Sequence, residues 1–174
     1  MHFKTMTMLV LGAAALAAVP AGAANVAPGQ IIGAGGKAMG EISVTEAPRG
    51  VILRIEAKGL TPGWHAIHFH EKADCSDAKF QKSGGHVHNE KPLIHGLLNA
   101  EANDAGDLPN IFAGADGTAT AEVYTTLVSL NGGGDRVTLK DADGSALVIH
   151  ANPDDHKTQP IGGAGDRVGC AIIP

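Results

Sequence analysis

The residues most able to take part in chemistry are histidines, of which the chain has nine. Three of them lie in the segment WHAIHFH, residues 64–70. On a β-strand, His68 and His70 project from one face, whereas His65 projects from the other. Two imidazoles on one face at the end of a strand form a chelate suited to copper, zinc or iron. The segment therefore predicts a transition-metal site, with His65 interpreted as a structural histidine bonded to the backbone.

Two further histidines lie where a ligand could be positioned. His150 ends the alternating stretch Ala146–His150. His86 follows two glycines, which let the backbone come close to a neighbouring element. Spacing alone does not establish that these two side chains meet the first pair.

The elements that must position these side chains are predicted to be short strands. In Val51–Lys58 apolar residues occupy alternate positions and three charged residues lie between or after them. This is the period of a half-buried strand. The 24 glycines and nine prolines leave few stretches long enough for an ordinary helix. Similar alternation occurs at Glu41–Glu46, Thr118–Thr125, Val137–Lys140, Ala146–His150 and Val168–Ile173. The pattern predicts an all-β sandwich or small barrel.

Two long segments, Glu71 to Phe112 and Ala151 to Arg167, lack regular patterning. Loops of this length inside one domain are usually functional or disordered. A functional role is favoured because the two segments carry Cys75, most of the remaining histidines and many acidic residues.

The first residues have the features of a secretory signal peptide. Lys4 precedes an apolar run of about 14 residues, too short to span a bilayer, and small residues at 21–23 suit cleavage. We expect residues 1–23 to be removed and residues 24–174 to form one exported domain. A retained apolar N-terminus is the alternative. No cysteine lies at the cleavage point, so no membrane anchor is expected. In an oxidising compartment, Cys75 and Cys170 are expected to form a disulfide.

The charge of the chain excludes one class of partner. The formal net charge is −5, and loss of Lys4 with residues 1–23 would make it −6. Nucleic acid is therefore not expected as a partner, because phosphate binding needs a basic face.

Beyond these features, the chain resembles the copper–zinc superoxide dismutase family of the bacterial periplasmic type, over nearly all of residues 24–174. GWHAIHFHEKADC is similar to the family's G-x-H-x-x-H-x-H strand and disulfide cysteine. SGGHVHNEKPLIHG and NDAGDLPN are similar to its zinc loop. ALVIHANPDD and GGAGDRVGC are similar to its last copper histidine, electrostatic loop and arginine–cysteine close. The resemblance implies an eight-stranded antiparallel Greek-key barrel or sandwich with two long functional loops.

The resemblance also implies a site, residue by residue. The copper ligands implied are His68, His70, His86 and His150. The zinc ligands implied are His95, Asp107 and the same His86, which would bridge the two metals. Asp154 would link a copper histidine to a zinc histidine, expected to be His68 and His95, and Arg167 would lie beside the open face of copper. Cys75 and Cys170 would be the intrasubunit disulfide.

One position departs from the family. The zinc loop of the family usually reads H-x-G-D, whereas this chain has Asp104 in the histidine position. A carboxylate can bind zinc at about 2.0–2.2 Å, so Asp104 could complete a tetrahedral zinc site. The alternative is a weakened or empty zinc site with Asp104 solvated. His88 is interpreted as a solvated loop histidine rather than a compensating ligand, and His156 as exposed.

The activity that the resemblance implies is the conversion of superoxide to oxygen and hydrogen peroxide by a redox-cycling copper. His86 would take up and return a proton. Since the acidic chain repels an anion, the attraction must be local, and Arg167 is its expected source.

Three other classes remain to be weighed. A cupredoxin-like electron carrier needs a cysteine thiolate and commonly an axial methionine. Here Cys170 is followed only by AIIP, and Met39 is distant in sequence. A non-catalytic exported copper-binding or copper-delivery protein on the same fold would be expected to lose a copper ligand or the arginine. A purely structural domain would not account for the histidines. The sequence leaves open whether the protein is a monomer or a homodimer.

Overall fold

The computed structural model describes Met1 and residues 25–173. The predicted cleavage site and almost all of the predicted signal peptide lie outside the described residues. Within the described residues there are eleven strands: β1 Val26–Gly33, β2 Ala38–Ala47, β3 Gly50–Ala57, β4 Gly63–His65, β5 Ile67–His70, β6 Ile111–Ala113, β7 Ala119–Thr125, β8 Val128–Ser129, β9 Val137–Thr138, β10 Ser145–His150 and β11 Arg167–Ile173. The only helical segments among the described residues are two 3₁₀ turns, Ala34–Gly36 and Gln81–Ser83. None of the described helices is long and apolar enough to cross a membrane.

Seven strands form one curled antiparallel sheet in the order β5-β10-β11-β1-β2-β3-β7. Two smaller pairs accompany it, the antiparallel β4–β6 pair and the parallel β8–β9 pair. The prediction of an all-β fold with two long loops, between β5 and β6 and between β10 and β11, is confirmed. Strand β5 lies at one edge of the large sheet and pairs with β10, so that His68 is opposite Val148 and His70 is opposite Ala146.

The core lies against the inner face of this sheet. Alternate residues of β5 and β10 enter it, including Ile67, Phe69, Leu147 and Ile149, all fully buried. Because side chains alternate along a strand, His68 and His70 must project to the outer face. Packing of the apolar residues therefore fixes the side of the sheet on which the histidines converge.

A second, small apolar cluster supports that outer face. It contains the Cys75–Cys170 disulfide, Phe80, Ala146 and Val148. The disulfide joins the first long loop to β11 and confirms the predicted pairing. Since the sequence contains two cysteines and both are oxidised, a thiolate ligand of the cupredoxin kind is excluded.

The strand predictions differ from the structure at several places, and the short strands β6 and β8 were not predicted. β1 was not predicted, because Pro28 and Gly29 interrupt its alternation. It pairs with β2 along most of its length. Its pairing with β11 involves only Ile32 and Gly33, so the missing N–H of Pro28 removes no hydrogen bond to β11. The predicted strand Val137–Lys140 is reduced to Val137–Thr138.

Candidate metal centre

The first long loop reaches the site by pairing with the free edge of β5. The backbone N–H of Phe69 donates to the carbonyl of Gly106 at 2.9 Å, and the N–H of Val87 donates to the carbonyl of Phe69 at 3.0 Å. His86 is thereby placed opposite His70, and Asp107 opposite His68. A side chain on Gly106 would collide with the Phe69 carbonyl, so this close approach requires glycine.

Four buried imidazoles converge on the outer face of β5. They are His68, His70, His86 and His150, and one potential ligand atom from each lies within 4.8 Å of the others. The structure thus brings together side chains from β5, the first loop and the end of β10.

Hydrogen bonds fix which nitrogen of each ring faces the common centre. His68 Nε2 lies 2.9 Å from an Asp154 carboxylate oxygen, His70 Nδ1 donates to the carbonyl of Gly84 at 2.9 Å, and His150 Nδ1 donates to that of Gly165 at 3.2 Å. The remaining nitrogens, His68 Nδ1, His70 Nε2, His86 Nε2 and His150 Nε2, are buried and have no hydrogen-bond partner among the described residues. A neutral imidazole that donates through one nitrogen presents a lone pair at the other. These lone pairs are the donors that a copper ion needs.

His65 has a different environment from these four rings. Its Nδ1 lies 2.7 Å from the carbonyl oxygen of His150, and its Nε2 lies 2.8 Å from that of Thr61. The prediction of a structural histidine bonded to the backbone is confirmed. The contact also anchors the backbone of His150, whose ring belongs to the metal group.

A second group of donors lies beside the first and shares His86. The atoms are His86 Nδ1, His95 Nδ1, Asp104 Oδ2 and Asp107 Oδ1. His86 Nδ1 is 2.7 Å from Asp104 Oδ2 and 3.5 Å from Asp107 Oδ1, and His95 Nδ1 is 3.5 Å and 2.7 Å from the same oxygens. A tetrahedron with bonds of about 2.0 Å has edges of about 3.3 Å, so these separations suit one zinc ion.

His68 is also near this second group, but its geometry excludes it as a ligand there. Its Nε2 lies 4.0 Å from Asp107 Oδ1 and is already paired with Asp154. Asp104 Oδ2 lies 2.7 Å from His86 Nδ1 and 3.5 Å from His95 Nδ1. Asp104 is buried, so the alternative of a solvated carboxylate is wrong.

Asp154 joins the two groups. One carboxylate oxygen is 2.9 Å from His68 Nε2 and the other is 3.1 Å from His95 Nε2. Such a partner fixes the orientation of a ligand ring and raises its basicity. Gly162 has a positive φ of 59° and approaches Asp154 so closely that any side chain there would displace the carboxylate. The second loop thus holds Asp154 between one histidine of each group.

The electrostatic environment keeps three rings of the first group, His68, His70 and His150, neutral. Burial lowers the pKa of His68 and lowers that of His70 well below its ordinary value. Burial and the neighbouring His68 lower the pKa of His150 to about 3. These rings are uncharged at neutral pH, so their lone pairs are available without loss of a proton.

In the metal-free chain, the histidines of the second group have raised pKa values instead. Burial alone would lower the pKa of His95, but the carboxylates of Asp104, Asp107 and Asp154 outweigh it and raise the pKa to about 11. The pKa of His86 is also raised, because Asp104 and Asp107 outweigh burial. Burial would raise the pKa of Asp107, yet His86 and His95 hold it below its usual range. A dication can replace these protons, since it satisfies both carboxylates.

Arg167 lies at the start of β11 and is fixed by the first loop. Its guanidinium donates to the carbonyls of Phe80 at 2.7 Å and Gly84 at 2.8 Å, and to the Ser83 hydroxyl at 3.0 Å. Burial lowers its pKa, but the group remains a cation. It shares the carbonyl of Gly84 with His70 Nδ1, which places it beside the first group. The roles of Ser83 and Phe80 were not predicted, because a short polar loop gives no sequence signal for them.

Two further loop histidines, His156 and His88, lie outside both donor groups. His156 was expected to be exposed, but its side chain is only 19% exposed. Its backbone N–H donates to Asp154 at 2.6 Å, and its ring lies near Asn110. His88 is half-buried, and its Nδ1 lies 2.7 Å from the carbonyl oxygen of His86.

A curled β-sheet that carries four convergent imidazoles, linked by a shared histidine to a mixed histidine–carboxylate group, defines a metalloprotein with adjacent sites of copper and zinc type. The family model for copper/zinc superoxide dismutase matches residues 38–173. The chain is 66% identical over 138 residues to the superoxide dismutase [Cu-Zn] of Caulobacter vibrioides, covering 79% of each chain. It belongs to the copper/zinc superoxide dismutase family.

Solved structures agree with this assignment. A SOD-like protein from Bacillus subtilis is 34% identical, with a TM-score of 0.77, over 84% of this chain and 97% of that one. The Cu/Zn superoxide dismutase from Brucella abortus is 27% identical, with a TM-score of 0.69, over 86% and 99%. The activity is therefore the dismutation of superoxide to oxygen and hydrogen peroxide, and the metals are copper and zinc. The non-catalytic alternative is not favoured.

Proposed function

We propose that His68, His70, His86 and His150 bind the copper of this dismutase. The single observation that carries the proposal is the set of four buried ring nitrogens that face one centre and have no hydrogen-bond partner among the described residues. An unpaired buried polar atom is costly, and four in one place are accounted for by a bound ion. Copper, when bound, supplies the exchange of electrons with superoxide by alternating between two oxidation states.

We propose further that His86, His95, Asp104 and Asp107 bind zinc. The support is the four separations of 2.7 to 3.5 Å between the two ring nitrogens and the two carboxylate oxygens, together with the burial of all four residues. Compared with a site of three histidines and one aspartate, this site has a second carboxylate in place of one imidazole. The two negative charges then neutralise the charge of the zinc dication.

The other proposed roles belong to His86, Asp154 and Arg167. His86 has one nitrogen in each donor group, so its Nε2 is the proposed position for a proton that is taken up and delivered to the reduced substrate. Asp154 positions His68 and His95. Arg167 provides the fixed positive charge that attracts superoxide in an acidic chain, since focusing in a cleft can raise association rates by about 10–10³-fold.

Export to the periplasm is proposed on independent grounds. The disulfide and the bacterial relatives are consistent with an oxidising compartment. The features of residues 1–23 predict a cleaved leader and a mature domain of residues 24–174. Mass spectrometry of the protein isolated from the periplasm should show Ala24 as its first residue.

A homodimer is the proposed assembly, supported by one exposed aromatic pair. Trp64 of β4 and Phe112 of β6 are each 56% exposed, and their ring centroids are 5.2 Å apart. Aromatic side chains are enriched in interfaces. Sedimentation equilibrium should give twice the chain mass, and Trp64→Glu should give a monomer.

Metal analysis combined with a superoxide-removal assay tests the proposed sites. The expected result is one copper and one zinc per chain, with activity that requires copper. Activity with copper alone and no binding of zinc would contradict the zinc assignment of Asp104. Zinc binding without copper binding would contradict the copper assignment.

A further inference from the structure

A cavity of about 420 Å³ opens to the surface beside the second donor group. Asp104 and Asp107 lie along its lining, together with Gly96, Leu97 and Ala102. The two aspartates are only 4% and 1% exposed, whereas Leu97 and Ala102 are exposed. The cavity therefore runs from an exposed mouth towards the proposed zinc ligands.

Unpaired donor atoms lie next to the lining of the cavity rather than on its surface. Asp107 Oδ1 and His95 Nδ1 are buried and have no hydrogen-bond partner among the described residues, although they are 2.7 Å apart. The other oxygen of Asp107 accepts the N–H of Gly96, which also lines the cavity. An ion arriving from this side would meet ligand atoms that are already oriented.

The charge of the lining favours a cation. Glu90 lies in the exposed part of the cavity, and Asp104 and Asp107 lie at its floor. Among the described residues that line it, these three carry negative charge and none is basic. A concave surface of one sign raises the local concentration of ions of the opposite sign.

The wall of the cavity is a braced part of the first loop. Asn99 donates to the carbonyl of His95 at 3.3 Å, and Asn103 accepts the N–H of Ile94 at 2.8 Å while donating to the carbonyl of Pro92 at 3.1 Å. These bonds brace the loop next to His95.

The copper group does not share this cavity. None of its four histidines is among the residues that line it, and neither is Arg167, which shares the Gly84 carbonyl with His70. Metal exchange at the two groups can therefore use separate sides of the protein.

We infer that this cavity, lined by Glu90, Leu97, Ala102, Asp104 and Asp107, is the path by which zinc reaches and leaves the second metal group. The inference rests on the proposed zinc site and adds a route to it. An obstruction in a path slows arrival and departure by the same factor and leaves the dissociation constant unchanged, because it raises a barrier without changing either end state.

The test compares bulky substitutions inside and beside the cavity. Ala102→Trp places an indole in the lining, and Ala100→Trp places one on an exposed neighbour outside it. Leu97→Trp and Leu98→Trp form a second matched pair, for use if the first inside variant does not fold. Stopped-flow measurements follow zinc release from the copper- and zinc-loaded protein to a chromogenic chelator, and zinc uptake by the zinc-depleted protein. Competition titration gives the dissociation constant.

The expected result is a slowing of zinc uptake and release by about tenfold in the inside variant, equal in both directions. The outside variant and the rate of copper removal should match the wild type. If the inside variant takes up and releases zinc at the wild-type rates, the proposed route is wrong but the proposed zinc site is not affected. A wild-type protein that binds no zinc would instead overturn the proposed site, and with it the route.

Discussion

His70 and Arg167 share one acceptor, the carbonyl oxygen of Gly84. His70 Nδ1 donates to it at 2.9 Å, and the Arg167 guanidinium donates at 2.8 Å. A residue proposed to hold copper and a residue proposed to attract superoxide are thus positioned by the same peptide group. The Ser83 hydroxyl accepts a further bond from Arg167 at 3.0 Å, so the cation is restrained in place.

Arg167→Ala should lower kcat/KM and flatten its dependence on ionic strength. The reason is that Arg167 provides a local positive charge against a formal net charge of −5. We expect a loss of about tenfold at low salt, measured by superoxide decay after pulse radiolysis. Arg167→Lys keeps the charge but not the set of guanidinium hydrogen bonds, so its kcat/KM should fall less. An unchanged rate and salt profile in Arg167→Ala would remove this residue from the path of the substrate.

Asp104→Asn should weaken zinc binding and leave copper binding intact. The amide is of similar size, but it removes the charged oxygen that lies 2.7 Å from His86 Nδ1. Loss of a residue that merely supports a ligand costs about 10–100-fold in affinity, so loss of a ligand should cost at least that. Asp104→His should retain zinc, because imidazole is a good ligand for it. Competition titrations measure both, and equal zinc affinity in wild type and Asp104→Asn would exclude Asp104 as a ligand.

Zinc binding should release protons, whereas binding at the copper group should release few. In the metal-free chain the pKa of His95 is raised to about 11, so its ring is protonated at neutral pH and must lose that proton to bind zinc. Zinc affinity should therefore fall as the pH falls, by about tenfold per unit for each proton released. The pKa of His150 is about 3, so its ring is already neutral. Calorimetry in buffers of different ionisation enthalpy measures the released protons, and zinc affinity that is flat from about pH 6 to about pH 8 would contradict the account.

The disulfide should provide a large part of the stability of the metal-free domain. It closes a loop with a sequence separation of 95 residues, which on the chain-entropy model contributes about 4–5 kcal/mol. Cys75→Ser combined with Cys170→Ser should lower the free energy of unfolding by about this amount, measured in urea on metal-free protein. An unchanged unfolding midpoint would show that Phe80 and its apolar neighbours suffice to hold the loop.

The histidine pair and the loops could be predicted from sequence because they follow from local rules. Alternation along a strand fixes the common face of His68 and His70, and the absence of patterning marks the two loops. The convergence of His86 and His150 on that pair could not be predicted from spacing, since it depends on strand order and on backbone bonds at the edge of β5. The resemblance to a family supplied that expectation.

Other parts of the site have no local signal. The carbonyl groups that hold Arg167 belong to backbone, and Phe80 presents its carbonyl from a left-handed conformation with φ of 55°. The burial of Asp104 depends on how residues 103–107 pack beside β5. His156 was expected to be exposed because its segment is polar, but its backbone N–H binds Asp154 and draws the residue towards the protein. Tertiary hydrogen bonds thus determine the features that sequence reasoning missed.

The most direct test of the central claim is a crystal structure of the protein loaded with copper(II), with anomalous scattering recorded on both sides of the copper absorption edge. We predict one copper peak within bonding distance of His68 Nδ1, His70 Nε2, His86 Nε2 and His150 Nε2. A copper peak bound to other atoms in a protein that removes superoxide would contradict it.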